Sequence, residues 1–182
     1  KKGDILFQKG IAKSRKKDYK NAISDFKKAI NSKSLENKEL GCTYLEKGWA
    51  HIRIGEYKKG LQESDKGETI FKAKGNDYFL HFINKAYAFI KLNKISTSID
   101  VLNNISNKKY DLKLEKHQIA FMLMLKGLSF TLQGDHNEAL KNFEKMFLKD
   151  PDILEIDEES IFDEVPEYMK NIIRISLSIN LN

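Results

Sequence analysis

The chain has 182 residues, 32% of them charged, with two prolines, one cysteine and a net charge of +6. A single cysteine, Cys42, excludes an internal disulfide and a multi-cysteine metal site. The longest apolar run, IAFMLML at 119–125, is far too short to span a bilayer. Few prolines and many charges suit long helices better than strands and turns. The charge is uneven: residues 1–31 hold ten Lys/Arg against three acids, and residues 150–167 hold nine acids and no base. The basic residues are interleaved with a helical apolar pattern, so they read as solvated helix faces rather than a nucleic-acid arm. The first residues do not read as a signal peptide. The chain opens without a methionine, which leaves room for a preceding segment.

In chain order the sequence repeats itself. KGIAKSRKKDYKNA (9–22), KGWAHIRIGEYKKG (47–60), KAYAFIKLNKISTS (85–98) and KGLSFTLQGDHNEA (126–139) each open with Lys and a Gly or Ala. Twelve residues after that small residue comes another: Ala22, Gly60, Ser98 or Ala139. The copies start 38, 38 and 41 residues apart, a period that marks stacked supersecondary units. Each copy predicts a helix A, a break, and an amphipathic helix B. The breaks hold Asp18-Tyr19, Gly55-Glu56-Tyr57, Asn93-Lys94-Ile95 and Gly134-Asp135-His136. Gly or Asn there provides the left-handed residue that ends helix A, and Asp18 or Asp135 caps helix B. The two small residues are expected to face each other across the hairpin and let the helix axes approach. The units are expected over about 3–34, 41–74, 79–107 and 114–151. An acidic connector follows at 152–165; it lacks the ligand spacing and central glycine of an EF-hand. Pro166 then starts a terminal helix, 166–182, that caps the array.

These copies resemble the tetratricopeptide repeat. The likeness rests on Gly10, Tyr19, Ala22, Phe26 and Ala29; on Gly48, Gly55, Tyr57 and Gly60; on Ala86, Phe89, Ser98 and Leu102; and on Gly127, Gly134, Ala139, Phe143 and Pro151. The period exceeds the family's usual 34 residues. The third unit lacks its turn glycine and its alanine. Lysine stands where leucine is usual before each small residue, its stem packing while the ammonium reaches water. The resemblance implies an all-α, right-handed superhelix of four antiparallel hairpins plus a C-terminal capping helix. It also implies a concave groove, lined by the A helices, that holds a peptide or a partner's helix. Carried across unit by unit, that groove comprises Phe7 and Ile11; Leu45, Trp49, Ile52 and Arg53; Ile83, Tyr87, Ile90 and Lys91; and Phe121, Met124 and Leu128. The strip is expected to be open, with Trp49 and Tyr87 as anchors dispensable for the fold and Arg53 and Lys91 at the rim. The alternative is that the superhelix is tightly wound, or the terminal helix folds back, so that these residues are core. The basic residues that grip a chaperone's C-terminal carboxylate are missing.

No motif for chemistry appears. His51, His81, His117 and His136 have no histidine neighbour at helical spacing, and neither a phosphate loop nor a nucleophile elbow occurs. Cys42 reads as a small buried hydrophobe. The expected function is a non-enzymatic scaffold or adaptor for a protein or peptide partner, without metal or cofactor. One alternative is a peptide-sensing regulator or secretion-type chaperone using the same groove. Another is nucleic-acid binding through Lys9, Lys13, Arg15, Lys16, Lys17 and Lys20, which a steep salt dependence would reveal. The compartment is left open, cytoplasm ahead of periplasm or export, and so is the oligomeric state.

Overall fold

The structure, a computed structural model, describes residues 1–71, 79–106, 114–153 and 161–180. The expected unit ends at 72–74 and 107, the connector stretch 154–160 and the last two residues lie outside the described residues. The described chain is helical, with no strand. Helices α1 (Lys2–Arg15) and α2 (Tyr19–Asn31) form the first hairpin, α3 (Asn37–Arg53) and α4 (Tyr57–Phe71) the second. Helices α5 (Phe79–Lys91) and α6 (Ile95–Ser106) form the third, α7 (Lys116–Gln133) and α8 (His136–Lys149) the fourth. A 3-10 turn (Ile161–Glu164) and α9 (Glu167–Asn180) follow. Each helix packs on its hairpin partner and on the next helix along, and the A helices also touch one another: α1 on α3, α3 on α5, α5 on α7. The arrangement is a tetratricopeptide-like helical solenoid. Helix α9 lies on α8, and the 3-10 turn lies on α7.

The four hairpin turns close in one way. Lys17, Gly55, Asn93 and Gly134 take positive φ (61°, 84°, 57° and 88°). Their amides reach the carbonyls of Ser14, Ile52, Ile90 and Thr131. The next amides, of Asp18, Glu56, Lys94 and Asp135, reach back to Lys13, His51, Phe89 and Phe130 at 2.8–3.0 Å. This is the Schellman closure, which satisfies the last carbonyls of helix A. In the first turn the left-handed residue is Lys17, where glycine would sit without strain. Asp135 caps α8, accepting from the Glu138 amide at 3.0 Å. Asp18 does not cap α2: its carboxylate instead accepts from the Asn21 side chain at 2.9 Å. Helices α3 and α7 start alike, with Glu39 and Gln118 accepting from the amides of Glu36 and Glu115, both at 3.0 Å.

Small residues bring the hairpin helices together. A methyl carbon on Gly10 would lie 2.4 Å from the Phe26 ring, and one on Gly127 2.6 Å from the Phe143 ring. Gly48 and Gly60 face each other as expected, a Gly60 methyl meeting the Gly48 carbonyl at 2.8 Å. Lys9, before Gly10, is exposed as expected, but the lysines of the other three units differ. Lys47 pairs with Glu63 at 3.1 Å, and Lys85 pairs with Asp65 at 3.0 Å and Glu68 at 3.3 Å. Their ammonium groups meet α4 carboxylates rather than water alone. Lys126 is buried, and burial together with Lys145 lowers its pKa. Asn84 ties α5 to the second hairpin, donating to the Leu45 carbonyl at 2.9 Å and to Ser64 Oγ at 2.8 Å.

Candidate functional site

Stacked repeats bring equal positions into rows. Ile11, Trp49, Tyr87 and Leu128 stand third in the four copies; Arg15, Arg53, Lys91 and Leu132 stand seventh. Four residues is about one helical turn, so Trp49 and Arg53 share one face of α3, and Tyr87 and Lys91 share one face of α5. Because α3 packs on α5, the two faces meet. The Trp49 and Tyr87 rings lie 5.5 Å apart, tilted at 47°. The Arg53 guanidinium sits among three rings, 5.6 Å from Trp49, 5.7 Å from Tyr87 and 6.0 Å from Tyr19. At such distances ring quadrupoles hold a cation. Arg53 also donates to the Tyr87 hydroxyl at 3.3 Å, and the Lys91 ammonium stands 5.8 Å from the Tyr87 ring.

An acid completes the cluster. The Tyr87 hydroxyl donates to Glu164 Oε1 from the 3-10 turn, and Lys91 Nζ donates to Glu164 Oε2 at 3.2 Å. Burial, then the adjoining Glu164 carboxylate, push the Tyr87 hydroxyl well above its ordinary pKa, so it remains a donor. Next to Glu164, Val165 is buried in the main core.

The residues expected to line an open groove divide into three groups. Leu45, Ile52, Ile83, Ile90, Met124 and Leu128 are buried. Trp49 and Tyr87 are also buried, 7% and 3% exposed. Phe7, Ile11, Phe121 and Arg53 are half-buried, and Lys91 is exposed. Phe7 packs on Phe26 with ring centres 6.2 Å apart. Packing of α1 on α3, α3 on α5 and α5 on α7 consumes most of the strip, leaving a short surface around Arg53 and Lys91. Two members of the cluster went unassigned from sequence. Tyr19 enters because α2 packs on α3. Glu164 enters from a segment read only as a connector; the signal available was its acidity opposite a basic rim.

Elsewhere, Asp65, Glu68 and His81 bring ligand-type atoms within 4.8 Å of one another. The Lys85 ammonium bonds both carboxylates there, supplying the positive charge. His51 Nδ1 lies 2.6 Å from Glu56, His117 is exposed, and His136 meets Tyr168 edge-on at 5.5 Å. Cys42 is half-buried rather than fully buried. Of the basic residues near the first turn, Lys13 pairs with Asp25 at 2.5 Å, while Lys9, Arg15, Lys16, Lys17 and Lys20 are exposed. Among the described residues, no helix is long and apolar enough to cross a membrane.

Comparison with known families matches residues 3–34, the whole first hairpin, to the tetratricopeptide repeat. The first hairpin is thus a tetratricopeptide repeat, and the array it begins is tetratricopeptide-like in fold. The match covers one unit; the other three hairpins share its turn closure, and each stacks on the one before it. No curated protein matches the chain. Tetratricopeptide repeats are protein-interaction modules.

Proposed function

We propose that this protein is a non-enzymatic adaptor that binds a segment of a protein partner on its A-helix face. The site comprises Trp49, Arg53, Tyr87 and Lys91, flanked by Phe7 and Ile11 on one side and Phe121 on the other. One observation supports this reading above the rest: a guanidinium held among three rings, with an exposed lysine beside it. The buried rings of Trp49 and Tyr87 hold the Arg53 guanidinium in place from beneath, and arginine is among the residues that dominate binding hot spots. The deeper residues, Leu45, Ile52, Ile83, Ile90, Met124 and Leu128, shape the face from beneath. A peptide-sensing or chaperone role would use the same face.

The experiment is affinity capture with the wild-type chain and an Arg53→Ala/Lys91→Ala chain, each checked for helicity by circular dichroism. Both side chains reach the surface, so the double variant is expected to fold. A partner held by wild type and lost by the folded variant is the expected outcome. Equal capture by both would move the site to another face.

A further inference from the structure

The surface assigned above already holds a ligand, supplied by the chain itself. Glu164 projects from the 3-10 turn and is gripped at both oxygens, by the Tyr87 hydroxyl and by the Lys91 ammonium. Arg53 donates to that same hydroxyl at 3.3 Å. One residue on, Val165 is buried against the core. The Asp163 carbonyl accepts from Lys170 Nζ at 3.2 Å. The contact thus has two parts, a carboxylate on a cationic aromatic surface and an aliphatic side chain beside it.

The polar half of the contact suits an exchangeable occupant. Glu164 and Lys91 are each about one-third exposed at the side chain, 30% and 33%. Ion pairs at such exposure are weak and salt-screened. The two donors to the carboxylate, Tyr87 and Lys91, both stand on α5, and Arg53 of α3 backs the Tyr87 hydroxyl. A tethered segment competes at an effective concentration on the order of millimolar. A partner must overcome that, and its apparent affinity falls by the fraction of chains in which the site is free.

The geometry points to a self-occupied site: the Asp163-Glu164-Val165 segment is a built-in competitor. It is displaced by a partner segment presenting a carboxylate followed by an aliphatic side chain. This rests on the A-helix face being the binding face and adds the chemistry of the partner and a means of regulation.

The test uses the full chain and a labelled peptide of the sequence IFDEVPEY, followed by fluorescence anisotropy. Against wild type, the peptide meets an occupied site. A Glu164→Ala chain is expected to bind it at least fivefold more tightly, and the peptide with alanine in place of its first glutamate is expected to lose that gain. Adding Lys91→Ala to the Glu164→Ala chain should remove the gain as well. Equal binding to wild type and Glu164→Ala, or no binding to Glu164→Ala at millimolar peptide, would overturn the proposal. So would a Glu164→Ala chain that fails to fold, because the segment would then be part of the framework. The adaptor reading fails separately, through a partner retained by Arg53→Ala/Lys91→Ala. A partner lost from that variant alongside a peptide that does not bind would keep the face and remove the competitor.

Discussion

At the residue scale, Trp49 and Tyr87 show how one side chain serves two ends. From sequence, both rings are expected to be anchors that the fold can spare. Their burial and their mutual contact at 5.5 Å imply instead that each carries part of the packing between α3 and α5. Truncating a buried aromatic removes transfer energy and leaves a cavity. Trp49→Ala is therefore expected to lower stability by about 3–5 kcal/mol, read from the midpoint of urea unfolding. An unchanged midpoint would mean that the ring stands free of the core. Arg53 is different: its guanidinium is held by rings and hydroxyl but remains half-exposed, so its replacement changes the surface more than the frame. This is why the rim residues, rather than the rings, make the clean test of binding.

At the element scale, the pairing of α3 with α4 carries a titratable signature. Glu63 of α4 is buried, which by itself would raise its pKa, but the Lys66 and Lys47 ammonium groups outweigh burial and hold it below its ordinary value of 4.5. The native state then binds this proton less readily than the unfolded chain does. Stability from the pair is present above the ordinary value and is lost as pH falls through the lowered one. A Glu63→Gln chain is expected to show a shallower loss of stability below about pH 4.5, in denaturation midpoints measured across acid pH. Identical acid limbs in the two chains would remove Glu63 from the account. The helices and turns themselves were legible in the sequence because they depend on local rules. Gly55, Asn93 and Gly134 can adopt positive φ, and the small residues recur at one spacing. Asp18 does not cap α2 because Asn21, three residues on, takes up its carboxylate, a choice between side chains that spacing does not reveal.

At the scale of the molecule, the apolar interior divides unevenly. One cluster runs from Trp49 through α5–α8 to Val165, Met169 and Ile173 of the C-terminal segment. A second, smaller cluster gathers Tyr19, Ala22, Phe26 and Ala50, with Phe7 and Ile11 against it. In a solenoid each unit is held only by its neighbours, so α1 and α2 are expected to open before the rest. Native-state hydrogen exchange should show lower protection in α1 and α2 than in α5 and α7; uniform protection would mean that the two clusters unfold as one. The repeat period, the small residues and the turn chemistry by themselves determined that this chain forms stacked helical hairpins, because these properties act within one unit. Which of the apolar A-helix residues remain at the surface, and that Glu164 reaches Tyr87 and Lys91 more than seventy positions away along the chain, were decided only by the tertiary structure. Burial depends on how closely successive units stack, and a long-range ion pair depends on where the chain returns; neither has a local signature in sequence.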